Sequence, residues 1–426
     1  MRSTRRLACT GLFCFALLCI GAGSALGAVR YAAPGAGGAE PCNPAPCSLV
    51  KAVNDAKDGD RVVVAPGQYL TAADLEVDAA IDVGGEPGAT RPVIGLFNAT
   101  LYVENPAAVV HDLTALLTQP AMAYTLVQNA GTVERVFVSG KNGAGACTFE
   151  SGLLRDSVCF DGLIAYAGEP GPSKVTLRNV TALPLMFGAS PGAQLELDAL
   201  NVIARSLDGE REDLEVNVSA GGKATATFGH SNYATVGTTL SAGTDFTYTA
   251  PGTGTNQTAA PLFADVAGND FRPLPGSPTI DAGLADALLG TTALGGQPRA
   301  LPRCIGGPPI PDIGANEFVP TEPCPKPTNA IRLGKLKRLK AKGTAILAVT
   351  VPGSGTVALA GKGLRARKPR QVAGPGTVSL LLAAKGKWKR ALSRKGFVKL
   401  RARITFVPSG GDSLTVVRKA RLVKKP

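Results

Sequence analysis

Aromatic side chains and histidines are scarce in this 426-residue chain: aromatics make up 5%, and the two histidines are His111 and His230. That scarcity leaves little for histidine-dependent acid–base work and too few rings for a base-stacking surface. No Gly-x-Ser-x-Gly elbow, His-Glu-x-x-His pair, phosphate loop or dinucleotide fingerprint occurs, so the common hydrolase, metalloprotease and nucleotide-binding chemistries lack their signatures. No Cys-x-x-Cys pair occurs, and both histidines lie far from the cysteines in sequence, which speaks against a zinc site. A long helical periodicity is missing as well. With 52 glycines and 32 prolines, the composition suits many short strands and turns.

What the chain does contain is a repeat. The segments Val109-Val-His-Asp-Leu113, Thr132-Val-Glu-Arg-Val136, Leu154-Arg-Asp-Ser-Val158, Thr176-Leu-Arg-Asn-Val180 and Glu196-Leu-Asp-Ala-Leu200 follow one pattern. Their anchors Leu113, Val136, Val158, Val180 and Leu200 lie about 20 to 23 residues apart, a solenoid period. Apolar residues alternate within each copy, as in Val136 and Val138, so one strand face points inward. A strand with turns fills such a period and leaves no room for a helix. The expected fold is all-β: a right-handed single-stranded parallel β-helix, its anchors forming one internal column, followed by a small β-sandwich. An ordinary sandwich with evenly spaced strands is the competing reading.

Residues 1–28 read as a signal peptide, with Arg2, Arg5 and Arg6 before an apolar stretch from Leu7 to Ala22 and a small-residue cleavage site at Ala25-Leu26-Gly27. The alternative, an uncleaved anchor, needs a longer apolar run of roughly 20 residues. Cys9, Cys14 and Cys19 leave with the signal. Cys42, Cys47, Cys147, Cys159, Cys304 and Cys324 remain, and an even number in an exported chain suggests disulfides. Pairing neighbours in sequence is the simplest choice among several connectivities.

Residues 29–319 are assigned to the β-helix. Ser48 is positioned to cap a short amphipathic helix carrying Leu49, Val50, Val53 and Ala56, which would cover the first coil. The Gly- and Pro-rich stretch 261–318 is expected to be a closing cap. Residues 320–329 form a Pro-rich linker, and 330–426 form a basic immunoglobulin-like β-sandwich. Charge divides the same way. Residues 326–426 hold about 26 of the Lys and Arg residues and a single acid, Asp412, whereas the chain between signal and linker is net acidic, although the whole carries +13.

Two stretches carry a resemblance. The run Cys47-Ser-Leu, Ala52-Val53, Ala56, Gly59-Asp60, Gly67 and Tyr69 is similar to the opening of exported bacterial right-handed β-helix proteins of the pectate-lyase-like superfold. Pro261-Leu-Phe263, Asn269-Asp-Phe271, Ser277-Pro-Thr-Ile-Asp281-Ala-Gly283 and Asp312-Ile-Gly-Ala-Asn-Glu-Phe318 resemble the closing signature of its choice-of-anchor Q group. The resemblance spans roughly residues 30 to 320 and implies a β-helix fold and an exported or cell-surface location, without established catalytic residues. The chain carries neither a sortase-type motif nor an apolar tail. The basic end resembles, more loosely, sandwich modules that close exported actinobacterial proteins.

Candidate chemistry falls on one column. His111, Glu134, Asp156, Arg178 and Asp198 each precede an anchor by two positions, so coils stacked in register would align them about 5 Å apart. A polysaccharide lyase needs carboxylates that bind calcium and a base, commonly arginine, beside an acidic sugar, and Glu134, Asp156, Arg178 and Asp198 are the catalytic candidates. The competing reading is a turn ladder of ion pairs, Asp156 with Arg178 and Arg178 with Asp198. For Asp281 and Asp312, turn capping is preferred over catalysis, and for both histidines an outward or turn position is preferred over metal ligation.

The function expected is therefore an exported, noncatalytic protein of the envelope or surface. It would bind polysaccharide along its strand faces and anionic wall polymers or lipid headgroups through its basic module. It would act as a monomer, without cofactor and without nucleic acid. The alternative is a lyase or glycoside hydrolase acting on acidic polysaccharide, with calcium.

Overall fold

The computed structural model describes residues 27–425 apart from 87, 119–123, 141–145 and 208. The expected leader lies outside the described residues as far as position 26. The chain divides into two compact units, one ending at Glu322 and one beginning at Pro323.

The first unit is a parallel β-helix with three faces. Its first face stacks ten strands, beginning Val29–Ala32, Arg61–Val64, Asp82–Gly85, Val109–His111 and Thr132–Glu134, continuing Gly152–Arg155, Gly171–Arg178, Ala193–Leu200 and Lys223–Gly229, and ending at Asp245–Tyr248. The second face starts at Gln68–Thr71 and the third at Leu75–Val77. The two run together through Val158–Ala167 and Thr181–Ala189, where one strand serves both. Alternation explains the stacking. On the first face Val83, Val110, Val133, Leu154, Leu177 and Ala199 pair in successive registers and are buried, each contributing to one continuous core. Burying each larger aliphatic side chain is worth about 1.5–3 kcal/mol.

Between the first and second faces six successive coils, from Val109–His111 to Lys223–Gly229, each turn on one residue in the left-handed region: Asp112 (φ 52°), Arg135 (51°), Asp156 (53°), Asn179 (52°), Asn201 (58°) and His230 (46°). Asp and Asn tolerate that region better than most side chains. Backbone amides keep the ladder going round the bend, as in Asp156 N to Arg178 O at 3.0 Å and Asn179 N to Leu200 O at 3.1 Å.

The anchor column needs correction at two of its five positions. Register along the second face runs Thr114, Phe137, Val158, Thr181, Ile203, so the buried residues preceding these, Leu113, Val136, Ser157, Val180 and Val202, form the inner column. Val158 faces out of the solenoid into a separate apolar cluster. Leu200 ends a first-face strand opposite Arg178.

The helix Leu49–Asn54 is capped by Ser48, whose side chain accepts from Lys51 N, and buries Leu49, Ala52 and Val53 against the first coils. Arg30 enters this end, with Nε donating to Ala52 O at 2.9 Å and a guanidinium nitrogen 2.6 Å from Glu40. Cys42 is bonded to Cys47 and Cys147 to Cys159, and Cys304 and Cys324 are also disulfide-bonded. These bridges fit an oxidising, extracellular setting.

The segment expected as a closing cap is a lateral strap. Residues 261–318 run back along the solenoid's flank. Phe271, Leu294 and Ala315 bury Val158 and Leu183 on the outer side of the second face. The outward apolar residues there make the flank unsuited to water, and the strap covers it.

The second unit is a β-sandwich. One sheet joins Arg332–Leu339, Thr344–Val351 and Gly376–Leu382, and the other joins Arg370–Val372, Gly355–Ala360, Phe397–Pro408 and Leu414–Val423, all antiparallel. Counted within the unit, the orders are 1-2-5 and 4-3-6-7. Leu347, Leu380, Leu400, Ile404 and Phe406 belong to the one core shared by both sheets. The unit also holds the helix Gly386–Lys395, closed by left-handed Gly396.

Candidate functional site

The first-face register brings together His111, Glu134, Arg155, Arg178 and Leu200, not the expected column. The copy from Glu134 to Arg155 is shorter than its neighbours. Arg155 therefore takes the strand position, and Asp156 moves onto the corner. Asp198 pairs in register with Thr176, two positions before Leu200. Glu134, Asp156 and Arg178 do not meet as one carboxylate–arginine set.

Each has its own partners. Glu134 contacts the guanidinium groups of Arg135 and Arg155, and Arg135 also grips Asp112 at 2.8 Å. Arg178 donates to Asp198 at 2.8 Å, as the ladder reading expects, and to Asp286 of the strap at 2.6 Å. Asp156 meets Arg299, at 2.5 Å, in place of the expected Arg178. Arg299 also reaches Glu317 at 2.8 Å, and all three side chains are at most 2% exposed.

Backbone contacts lock the strap over this ladder. Arg299 donates to the carbonyls of Gly314 and Ala315, Asn179 Nδ2 donates to Asp312 O at 2.8 Å, and Arg155 reaches Leu288 O. Asn201 bridges coil and strap, donating to Asn179 Oδ1 and Leu284 O and accepting from Leu284 N. The strap approaches so closely at Gly290 that a Cβ there would lie 2.0 Å from Asp156 Oδ2. Asp312 accepts from the amides of Asp281, 31 residues earlier, and Phe318, so it ties two stretches of the strap together rather than capping a single turn. Asp281 sits at φ 53° and faces Arg303.

Burial sets the electrostatics. It pushes the Asp156 carboxyl up to about 6 against the pull of Arg299. It likewise raises Asp312, which has Glu317 beside it. His111 alternates with the inward Val110 and so lies on the outer side of its strand, but it is covered there and bridges Asp82 at 2.8 Å and Asp112 at 2.9 Å. Burial alone would lower its pKa, but hydrogen bonds to the two carboxylates overturn that and raise it to about 9. Burial would raise Asp112, yet His111 and Arg135 hold it at about 2. His230 lies at a corner, with Nδ1 3.0 Å from Ala282 O.

Among the described residues, Glu40, Cys42 and Cys47 form the one grouping compact enough for a metal. The two sulfurs are joined to each other, so neither offers a thiolate. Arg299, Asp286 and Glu317 were not singled out by sequence reasoning. Glu317 lies inside the closing motif, but Arg299 stands in a Gly- and Pro-rich stretch without periodicity, and nothing local marks it.

No family model matches the sequence, and no curated protein matches it. Among solved structures the chain is similar to the pectate lyase Pel9A, with TM-score 0.35 and 12% identity over 70% of this chain and 98% of that one. A likeness of that kind concerns the chain path and says nothing of activity. No helix among the described residues is long and apolar enough to cross a membrane.

Proposed function

We propose that the protein is an exported, noncatalytic β-helix protein of the cell envelope or surface, of the choice-of-anchor Q group, with a basic immunoglobulin-like module that holds anionic envelope polymers. The observation that carries the noncatalytic reading is the strap. The side chains a lyase would aim at a sugar are buried and engaged: Asp156 by Arg299, and Arg178 by Asp198 and Asp286. An acidic polymer would have to displace the chain's own segment before meeting them. The module reading rests on the concentration of cations after residue 326 and on the 1-2-5 and 4-3-6-7 strand orders, which suit an immunoglobulin-like sandwich. Its strand faces would meet glycans, and it requires no cofactor.

Two experiments test this. Wall pulldown and a glycan array compare the full chain with one lacking residues 326–426. Unchanged retention on cells removes the tethering role. Incubation with uronate polymers, with and without calcium, should release no unsaturated or reducing ends. Turnover that disappears in both Asp156→Ala and Arg178→Ala would establish the lyase instead.

A further inference from the structure

Within the sandwich, the strands Phe397–Pro408 and Leu414–Val423 place cations directly opposite one another: Lys399 faces Arg421, and Arg401 faces Lys419. Val398, Leu400 and Ala402 alternate with them and are buried, so the charged residues share the outer face. Like charges paired across strands destabilise a sheet. Neither pair is relieved by a carboxylate among the described residues. The module's single acid, Asp412, is 3.0 Å from Lys326.

A groove of about 770 Å³ opens beside these pairs, lined by Arg338, Lys399, Arg401, Arg418, Lys419 and Arg421, and by Trp388. Two of its guanidinium groups are already held in place. Arg338 Nε donates to Arg421 O at 3.1 Å, and Arg421 lies 4.5 Å above the Phe397 ring. A site with fixed guanidinium forks and unrelieved cross-strand repulsion favours an anion that enters between the pairs.

We propose that this groove binds a linear polyol phosphate polymer, an extended phosphodiester chain without aromatic bases. The inference rests on the module being anion-binding and goes further by naming its face and ligand. Cations on alternate residues of a strand repeat every 6.6–6.8 Å or so, close to the repeat of phosphates linked through a three-carbon polyol and longer than the carboxylate repeat of a polyuronate. Guanidinium forks match phosphate oxygens in pairs. Arg421 covers Phe397, which leaves Trp388 as the aromatic side chain of the groove, too little to stack successive bases.

Trp388 is the chain's one tryptophan, so its fluorescence reports the groove directly. The full chain is titrated with poly(glycerol phosphate), polygalacturonate, poly(dT) and anionic phospholipid vesicles at matched charge. Two double variants with equal charge change are compared: Arg401→Glu with Lys419→Glu in the groove, and Arg365→Glu with Arg367→Glu outside it. A neutral Arg401→Gln, Lys419→Gln pair, with melting curves for all, separates lost binding from lost folding. Poly(glycerol phosphate) should perturb Trp388 and bind most tightly. The groove reversal should weaken it by about tenfold or more, and the control pair by much less. Equal weakening by both pairs, or tighter binding of any other polyanion, overturns the groove and its occupant while leaving an anion-binding module. Binding to none of the four removes the anion-binding reading as well.

Discussion

Replacing Arg299 with Met removes the cation between two fully buried carboxylates while keeping most of the side chain's bulk. The guanidinium is 2.5 Å from Asp156 and 2.8 Å from Glu317, and it also serves the carbonyls of Gly314 and Ala315. Breaking a buried pair by removing one partner costs about 3–5 kcal/mol, because the other charge stays desolvated. The strap contributes few strands of its own, so this loss should appear first as release of residues 279–318, with the coils still folded. The loss must also depend on pH. Asp156 already binds its proton more tightly when folded, with its pKa raised to about 6. Folded protein therefore holds more protons than unfolded between the ordinary carboxylate range and pH 6, and this group's contribution to stability falls as pH rises through that window. Without Arg299 the carboxyl should take its proton at still higher pH, making the variant's deficit smaller near pH 5 than near pH 8, with the loss of the bonds to Glu317, Gly314 and Ala315 common to both. Hydrogen exchange of strap amides and melting at both pH values measure it. Unchanged strap exchange, or equal deficits at pH 5 and 8, would refute the reasoning.

Three further outcomes follow from the same geometry. His111, raised to about 9, contributes stability that is complete below the ordinary imidazole pKa and is lost as pH rises through 9; His111→Asn should flatten that alkaline limb in melting curves. Removing the Cys147–Cys159 bridge with paired alanines should cost about 2–4 kcal/mol in denaturant unfolding, since both sulfurs lie in the core and join the third face to the second. Gly314→Ala should cost about 1–3 kcal/mol, because the residue sits at φ 98° and a Cβ would meet Ile203 Cδ1 at 2.6 Å and Thr181 Oγ1 at 2.9 Å; an unchanged melting midpoint would sink that account.

The coil repeat was legible because alternation and period both survive in the chain: Val110 and Val133 stack where the pattern puts them. Exact register was not, since one shorter copy displaces Asp156 from strand to corner and no apolar residue marks the slip. The same blind spot hid the strap's role. Its apolar contacts, Phe271 and Leu294 against Val158, join residues far apart in sequence within a stretch that has no period of its own. Ser48 and its helix were readable because capping is local. The strand Arg332–Leu339 has no clean alternation to read, because a register shift between Leu333 and Leu336 breaks it. The cations of the sandwich were plain from composition. Their opposition across two strands became visible only in the pairing.

The single-residue bend from Asp112 to His230 also limits how this architecture can change length. Adding or deleting one residue there would rotate every following side chain from lumen to solvent until the next turn reset it. The passage from second face to third has no such restriction. It is nearly absent where Thr181–Ala189 runs straight on, and wide between Ile203–Ala204 and Leu214–Val218. Natural variation and grafted peptides should therefore gather along that one edge, leaving the corner from Asp112 to His230 almost constant in length.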